Sequence, residues 1–245
     1  MSKNFLHPKS LRKVATHYCP GCGHGILHRI IAEVIDELGI REKTIGIAPV
    51  GCAVIAYEYW DFDCCEAPHG RGLAVATGIK RCLPQNVVFT YQGDGDLASI
   101  GIAETIHTAN RAEAISCIFV NNSCYGMTGG QLAPTTLIGQ KTQTTPWGRD
   151  PNKGDGWPLK LTEILATLEG VCFAARTSLA GPKEILNTFN QIKKAFLAQI
   201  EKKKFSIVEV LSPCPTVWQK EPIKAFEFIQ NQMIKTFPVG IIKEL

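Results

Sequence analysis

The segment from residue 93 to residue 136 constrains the fold of this chain more than any other stretch. It opens with a Gly-Asp-Gly-Asp sequence, directly after an apolar, β-like run at 87–91. A helical pattern covers 97–111, and a second β-like run at 115–120 ends in two asparagines. This pattern predicts a strand–helix–strand unit with polar residues at the carboxyl ends of both strands. In a parallel sheet, that edge is where ligands bind.

Asp94 and Asn122 place oxygen atoms at the ends of these two strands. They are separated by one helix and one strand, so both side chains are expected at the same sheet edge. Carboxylate and amide oxygens, completed by the phosphates of a substrate, are typical of a magnesium site. Gly93 and Gly95 allow the backbone to approach a ligand closely, and the following helix offers free N–H groups to an anion. The segment therefore predicts a site for magnesium and phosphate.

Ten cysteines are more than the packing of a chain of this length requires. Cys19 and Cys22 form a Cys-x-x-Cys pair, a spacing used by zinc, iron–sulfur clusters and dithiol redox sites. Cys52 follows a predicted strand, and Cys214 stands between two prolines after another. In a reducing compartment, clustered cysteines indicate metal or redox chemistry before disulfides.

Length and composition favour one α/β domain over residues 1–245. Hydrophobic residues make up 45% of the chain, which permits a sizeable core, and the net charge of +4 is too small to indicate nucleic-acid binding. No apolar run approaches the roughly 20 residues of a membrane helix, and no signal peptide is evident. We therefore expect a cytoplasmic protein without membrane contact. Residues 1–18 are interpreted as an arm, and 216–245 as a tail that packs on a partner.

Strands and helices alternate along the chain, which predicts an α/β fold whose parallel sheet carries helices on both faces. Cys52, Asp94, Asn122 and Cys214 would then lie near one sheet edge. A long loop at 140–158 follows the central segment, and its length predicts a functional role.

Several motifs stand in the order found in one known family: HYCPGCGHG, APVGC, HGRG, the paired GDG and NN, YGMTGGQLAPTT and LSPCPT. The GDG and NN pair resembles the thiamine-diphosphate motif. Over nearly its whole length, the chain resembles the β subunit of the 2-oxoacid:ferredoxin oxidoreductases, and within that family it is most similar to the branched-chain 2-oxoacid type. The resemblance implies a thiamine-diphosphate-binding fold with thiamine diphosphate, Mg²⁺ and a 4Fe–4S cluster as cofactors.

The resemblance also implies which residues form each site. The cluster ligands would be Cys19, Cys22, Cys52 and Cys214, and four thiolates suit a cubane cluster. The magnesium ligands would be Asp94, Asn122 and the backbone carbonyl of Cys124. The cofactor pocket would contain His24, Gly51, Asp94, Gly95, Asp96, Asn122, Tyr125, Gly126 and Met127. No general base is assigned to this chain; His24 and His69 are candidates for proton transfer, and a structural role fits either equally well.

Members of this family oxidatively decarboxylate a 2-oxoacid to acyl-CoA and CO₂ and reduce ferredoxin. The resemblance implies that the partner α subunit supplies the activating glutamate and the substrate-binding arginine. We therefore expect activity only in a heteromeric complex, in which γ and δ subunits can also take part. Neutral residues at 127–130 favour an aliphatic substrate such as 3-methyl-2-oxobutanoate or pyruvate. The dicarboxylate 2-oxoglutarate stays open, because Lys141, Arg149 or the α subunit could supply a cation for its distal carboxylate.

Three other functions compete with this one. A cluster-free thiamine-diphosphate decarboxylase or synthase subunit fits the GDG and NN pair, but it leaves four cysteines at strand ends unexplained. A zinc-stabilised binding module fits CPGCGH, but no second half-site completes it. A nicotinamide dehydrogenase ranks last, because the Gly-Asp-Gly-Asp sequence does not continue as GxGxxG. Cys64 and Cys65 are interpreted as packing or surface thiols, and the roles of Cys82, Cys117 and Cys172 stay open.

Overall fold

The computed structural model describes residues 6–245, and within them one seven-stranded sheet organises the chain. Residues 1–5 of the predicted arm lie outside the described part. The strands are β1 (Thr44–Pro49), β2 (Asp63–Ala67), β3 (Val87–Gly93), β4 (Ser116–Asn121), β5 (Val171–Ser178), β6 (Phe205–Leu211) and β7 (Gly240–Glu244). The helices are α1 (Gly23–Leu38), α2 (Gly72–Cys82), α3 (Ile102–Asn110), α4 (Leu161–Ala166), α5 (Pro182–Lys202), α6 (Pro215–Trp218), α7 (Pro222–Phe228) and α8 (Ile234–Thr236).

The strands are arranged in the order β2-β1-β3-β4-β6-β5-β7. The first six strands are parallel, as the alternation predicted, but β7 pairs antiparallel with β5 and closes that edge. The edge strand β2 was not predicted from the sequence, because its exposed, charged residues form no apolar run. β3 and β4 are neighbours near the middle of the sheet, so their carboxyl ends meet at one edge.

Helices cover both faces of the sheet, which confirms the predicted layer arrangement. α1 and α5 pack against one face, where Ile31 and Phe196 are fully buried. α2, α3 and α4 pack against the other face, where Leu73 and Leu165 are buried. Strands buried on both sides explain the nearly continuous apolar runs in the sequence. No helix among residues 6–245 is long and apolar enough to cross a membrane.

The helix predicted at 97–111 is interrupted. A π-helical turn (Asp96–Ile100) precedes α3, and Gly101 lies between them. A Cβ atom on Gly101 would lie 2.7 Å from the Gly70 carbonyl oxygen and 2.8 Å from that of Asp96. The π-helical turn therefore leaves room for the HGRG turn at residues 69–72, which packs directly against the start of α3.

The two chain ends pack on the sheet domain itself. In the predicted arm, the Ser10 hydroxyl donates to Asp36 of α1 at 2.6 Å, and Leu11 forms a bridge with Trp60. In the predicted tail, Phe237 is fully buried in a small apolar cluster, and β7 extends the sheet. Ile223 of the predicted tail stays largely exposed.

A buried network of charged side chains connects β4, β5 and β6 beside the site edge. The Arg176 guanidinium donates to Glu209 at 2.8 Å, and both side chains are about 1% exposed. Arg176 also forms a bidentate pair with Glu163. The second carboxylate oxygen of Glu209 accepts from Asn121 at 2.7 Å. The first asparagine of the NN pair is therefore fixed by a carboxylate inside the sheet.

We expect Glu209→Gln to lower the free energy of unfolding by about 3 kcal/mol, because it removes one partner of a buried ion pair. Chemical denaturation monitored by circular dichroism measures this loss. Lys194→Ala is the matched control: it breaks an exposed pair with Glu244 and should change stability by less than about 1 kcal/mol. Equal effects for the two variants would contradict the role of the buried network.

Candidate functional site

A cavity of about 550 Å³ opens at the carboxyl ends of β1, β3 and β4. Its size lies within the usual range for small-molecule and cofactor sites. The cavity is lined by residues from five segments, namely His24, Val50, Gly51, Cys52, Ala53, His69, Gly93, Asp94, Gly95, Asp96, Ile100, Asn122, Cys124, Tyr125, Gly126, Met127, Thr128 and Gln131. All nine residues predicted for the cofactor pocket are among them. The structure therefore brings these residues together in one cavity.

The side chains of Asp94 and Asn122 lie close to the backbone of Cys124 at the carboxyl ends of β3 and β4. One terminal atom of the Asn122 amide lies 2.8 Å from the Cys124 carbonyl oxygen and 3.2 Å from Asp94 Oδ1. With nitrogen in this position, the amide donates to both oxygens. With oxygen in this position, three oxygens face one another and a cation is needed between them. Neighbouring ligands of an octahedral Mg²⁺ are about 2.9 Å apart, so this spacing fits the ion.

The Asp94 carboxylate is almost completely buried, and burial raises its pKa to about 7. Thr135 donates its hydroxyl proton to Oδ2 at 2.5 Å, and the Gly95 N–H donates to Oδ1 at 2.9 Å. The Gly95 N–H is thus directed at Asp94 rather than at a phosphate. Thr135 was not assigned to the site from the sequence, although it lies in the quoted APTT motif.

The two asparagines of the NN pair have different partners. Asn121 points into the sheet and pairs with Glu209, whereas Asn122 points to Asp94. The next residue, Ser123, has φ +56°, a left-handed conformation that only small or polar residues adopt readily. Its carbonyl oxygen accepts from the Thr136 hydroxyl at 2.7 Å, which stabilises the turn. This turn aims the Cys124 carbonyl at the Asn122 amide.

The Tyr125 ring packs on the backbone of Gly95. A Cβ atom on Gly95 would lie only 2.2 Å from the ring, so only glycine fits here. The Tyr125 hydroxyl donates to the Gly95 carbonyl at 3.3 Å, which links the GDG loop to the loop after β4. Met127 follows on the rim of the cavity and is 48% exposed, so it does not belong to the core.

His24 is buried at the cavity wall, with its ring position fixed on two sides. Its Nδ1 atom is 2.5 Å from the Tyr91 hydroxyl, and the Tyr18 ring stacks on it at 4.9 Å. Nε2 therefore remains for a group in the cavity. Burial lowers the pKa of His24 to about 4, so the imidazole is neutral near pH 7.

His69 and Asp96 lie together on the opposite side. His69 Nδ1 is 2.7 Å from the Val50 carbonyl oxygen and 3.1 Å from Asp96 Oδ1. Asp96 also accepts from the Gly70 N–H at 2.5 Å and from Gln92. The Asp96 carboxylate is thus engaged with the HGRG turn, and burial raises its pKa.

The four cysteines predicted as cluster ligands converge beside the cavity. An atom built as Cβ on Gly126 would lie 3.4 Å from Cys52 Sγ and 3.7 Å from Cys214 Sγ, so these two sulfurs are neighbours. The Cys22 N–H donates to the Cys19 carbonyl at 2.9 Å within the CxxC turn. Burial, with a smaller contribution from the neighbouring thiols, raises the pKa of Cys22 to about 12 and that of Cys52 to about 11.

No three His, Cys, Asp or Glu side chains among residues 6–245 converge on a point that could hold a single metal ion. A zinc site needs such convergence, because all its ligands bind one ion. A 4Fe–4S cluster takes one thiolate at each of four separate irons, so its ligands stand further apart.

Arg149 of the long loop does not reach the cavity. Its guanidinium is buried and donates to five backbone carbonyls, those of Ala133, Pro134, Thr136, Gly156 and Trp157. Arg149 is therefore not available for a distal carboxylate of a substrate. Lys141 is also absent from the cavity lining, which contains no lysine or arginine among the described residues.

The comparisons with known proteins agree with this site. The family model for the thiamine pyrophosphate enzyme, C-terminal TPP binding domain, matches residues 50–210. This range includes β2 to β5, nearly all of β6 and most of the residues that line the cavity. The fold and site therefore define a thiamine-diphosphate-binding protein, thiamine pyrophosphate being another name for the same cofactor.

Two relatives of known name identify the family within the thiamine-diphosphate-binding proteins. The chain is 53% identical over 225 residues to ketoisovalerate oxidoreductase subunit VorA of Methanothermobacter thermautotrophicus. The alignment covers 92% of this chain and 47% of that protein. It is 36% identical over 223 residues to 2-oxoglutarate synthase subunit KorB of Methanocaldococcus jannaschii, covering 89% of this chain and 78% of that protein. The chain belongs to the family of β subunits of 2-oxoacid:ferredoxin oxidoreductases.

A solved structure agrees with this assignment. It is 2-oxoglutarate:ferredoxin oxidoreductase from Magnetococcus marinus with 2-oxoglutarate, coenzyme A and succinyl-CoA bound, at 27% identity and a TM-score of 0.78. The alignment covers 98% of this chain and 86% of that chain. The chain spans about half the length of the ketoisovalerate oxidoreductase subunits it matches.

We expect Asp94→Asn to stabilise the protein at pH 8 when no divalent cation is present, by on the order of 2 kcal/mol. The folded-state pKa of Asp94, about 7, lies above the ordinary 3.8. The contribution of this carboxyl to stability is therefore complete below pH 3.8 and is lost as the pH rises to about 7.

Urea denaturation of both proteins at pH 5 and pH 8, with and without Mg²⁺ and thiamine diphosphate, measures this effect. The advantage of the variant should grow with pH and vanish when ion and cofactor are added. A difference between the two proteins that does not depend on pH would contradict the burial cost assigned to Asp94.

Proposed function

We propose that this chain is the thiamine-diphosphate- and iron–sulfur-binding subunit of an enzyme that converts a 2-oxoacid to acyl-CoA and CO₂ and reduces ferredoxin. One observation carries the proposal: the Asp94 carboxylate, the Asn122 amide and the Cys124 carbonyl converge in a cavity that Cys52 also lines. A phosphate-binding magnesium site and a group of thiols thus meet at one sheet edge. We also propose that residues 1–245 form one domain.

The residues present fit Mg²⁺ and a diphosphate. Asp94, Asn122 and the Cys124 carbonyl would hold the ion, since their spacing matches an octahedral shell. The helical turn that begins at Asp94, directly after β3, would direct its first N–H groups toward phosphate oxygens. Gly95 lets the Tyr125 ring pack directly on this turn, because a Cβ atom there would lie 2.2 Å from the ring.

When bound, thiamine diphosphate supplies a carbon nucleophile and an electron sink for decarboxylation. The chain's own residues bind and orient. His24 presents Nε2 to the cavity, with its ring held by Tyr91 and Tyr18. Met127 places an apolar group on the rim, where it limits access of water. We assign no general base to this chain, and we leave proton transfer by His24 or His69 as a proposal.

The thiols of Cys19, Cys22, Cys52 and Cys214 would hold a 4Fe–4S cluster that takes electrons from the reaction. The raised pKa of the Cys22 and Cys52 thiols indicates that they are neutral without a cluster. Ligation by iron would stabilise their thiolate forms. Cys19 is exposed, so one corner of the cluster would face the surface from which a ferredoxin can approach. We place the complex in the cytoplasm, where thiols stay reduced.

The cavity is incomplete in this chain alone. Val50, Ile100 and Met127 on its rim are each about half exposed, an apolar surface that is costly to leave in water. An α subunit that covers this rim would complete the site and supply the activating glutamate and the substrate-binding arginine. Coenzyme A, ferredoxin and, in some complexes, γ and δ subunits are further partners.

The substrate we favour is a branched-chain 2-oxoacid such as 3-methyl-2-oxobutanoate. The described cavity lining contains no lysine or arginine for a distal carboxylate, and Arg149 is engaged elsewhere. The VorA relatives bear the name of ketoisovalerate oxidoreductase. Pyruvate would fit the same lining, and 2-oxoglutarate would need a cation from the partner.

We expect the chain, purified without oxygen together with the products of its neighbouring genes, to contain thiamine diphosphate and close to four iron and four sulfide per chain. Elemental analysis and cofactor extraction measure these contents. Zinc in place of iron would favour the zinc-stabilised module. Thiamine diphosphate without iron would favour the cluster-free decarboxylase or synthase.

Single cysteine variants give the matched control for this measurement. Cys214→Ser should lower the iron content severely, because one of four ligands is lost. Cys82→Ser removes an exposed thiol on the end of α2 and should leave the iron content unchanged. Equal iron contents in both variants would contradict the assigned ligand set.

The isolated chain should show no turnover with any 2-oxoacid, because it lacks the residues that a partner would supply. Reduction of a viologen dye in the presence of coenzyme A measures turnover, with the complete complex as the positive control. Activity of the chain by itself would contradict its role as a partner-dependent subunit.

A further inference from the structure

The side chain of Thr135 makes one hydrogen bond, and that bond goes to the most buried carboxylate of the cavity. Thr135 is fully buried, and its hydroxyl donates to Asp94 Oδ2 at 2.5 Å. The other carboxylate oxygen, Oδ1, faces the Asn122 amide at 3.2 Å. Thr135 thus binds Oδ2, the oxygen that points away from Asn122 and Cys124. It leaves Oδ1 for an ion.

This arrangement fixes the rotation of the carboxylate. A free aspartate can turn about its terminal bond and exchange its two oxygens, because that torsion is broad. A hydroxyl donor on one side and the Gly95 N–H on the other restrict this rotation. A hydrogen bond to a charged acceptor is stronger than one between neutral groups, so the restriction is effective.

Thr135 is itself held by a strap, which we define as residues 133–136. The Nη1 atom of Arg149 donates to the carbonyl oxygens of Ala133, Pro134 and Thr136 at 3.3, 2.8 and 2.6 Å. Its Nε atom donates to the Gly156 carbonyl at 2.9 Å, and its Nη2 atom donates to the Trp157 carbonyl at 2.7 Å. The buried arginine therefore joins the strap on both sides of Thr135 to the far end of the long loop.

The strap also holds the loop that carries the other two oxygens. Thr136 donates its hydroxyl proton to the Ser123 carbonyl at 2.7 Å, and Gln140 donates to the Ser123 hydroxyl at 2.9 Å. Ser123 lies between Asn122 and Cys124 in the left-handed conformation. One segment of chain thus contacts both sides of the proposed ion site.

We propose that Thr135 is a positioning residue that directs Asp94 Oδ1 toward the ion, and that Arg149 holds the strap so that Thr135 keeps this position. The identity of the ligand, Mg²⁺ with thiamine diphosphate, rests on the function proposed above. The long loop, which the sequence analysis considered as a source of a substrate-binding cation, acts instead through the magnesium site.

The test compares wild type with Thr135→Val, Thr135→Ser and Thr188→Val in the purified complex. Mg²⁺ is titrated at a fixed concentration of thiamine diphosphate, and cofactor binding is followed by calorimetry beside the melting temperature. Thr135→Val should weaken the affinity for Mg²⁺ by about 10- to 100-fold, the usual effect of losing a group that orients a metal ligand. Thr135→Ser keeps the hydroxyl and should stay close to wild type.

Thr188→Val is the matched control. Thr188 is also fully buried, but its hydroxyl donates to the Ser178 and Glu184 carbonyls, away from the cavity. This variant should lower the melting temperature and leave the affinity for Mg²⁺ unchanged. Arg149→Lys, which keeps the charge but loses the planar set of donors, should weaken the affinity for Mg²⁺ as Thr135→Val does.

Two results separate the inference from the proposed function. If wild type binds Mg²⁺ with thiamine diphosphate, and Thr135→Val stays within twofold of it, the role of Thr135 is overturned and the function stands. If wild type binds no thiamine diphosphate at any Mg²⁺ concentration, the proposed function itself is overturned. If Thr135→Val does not fold, the Arg149→Lys variant tests the inference instead. An unchanged affinity of Arg149→Lys for Mg²⁺ would overturn the proposed role of the strap.

Discussion

The burial of the Asp94 carboxylate is the constraint on which the site depends. A carboxylate at the end of a central strand loses its hydration, and the free energy of that loss must be offset. The Thr135 hydroxyl and the Gly95 N–H offset part of it. Its pKa remains raised to about 7, so the protein alone does not fully stabilise the charge. A cation among the three oxygens would remove the remaining cost, which makes the site favourable for binding an ion.

The order of the sheet explains why this charge meets the other groups. β3 and β4 are adjacent and parallel, so Asp94 and Asn122 leave the sheet at the same edge. β1 flanks β3 and brings Gly51 and Cys52 to that edge, while β6 flanks β4 and leads to Cys214. The oxygens for an ion and the thiols for a cluster are therefore neighbours because of the strand order. A Cβ atom built on Gly126 would lie within 3.7 Å of Cys52 Sγ, Cys214 Sγ and the Asn122 amide, which shows how closely the two groups approach.

Much of the framework around the site consists of groups without a role in the proposed chemistry. Asn121, Glu209 and Arg176 hold the end of β4 from inside the sheet, and Arg149 holds the strap from outside. These residues are buried and polar, and each satisfies its hydrogen bonds with partners distant in sequence. Hydrogen bonds thus hold the cavity on these sides, whereas its apolar rim is about half exposed.

The sequence by itself determined the strand–helix–strand unit, the layered α/β fold and nine of the eighteen residues that line the cavity, because each depends on local periodicity or on a short motif. It did not reveal β2, whose charged residues hide an edge strand, or the antiparallel pairing of β7. It also could not distinguish Asn121 from Asn122, or place Arg149 and Thr135. Asn121, Thr135 and Arg149 each have a partner distant in sequence, 88, 41 and 13 positions away. Such pairings depend on which segments the packed sheet brings together, and only the tertiary structure decides that.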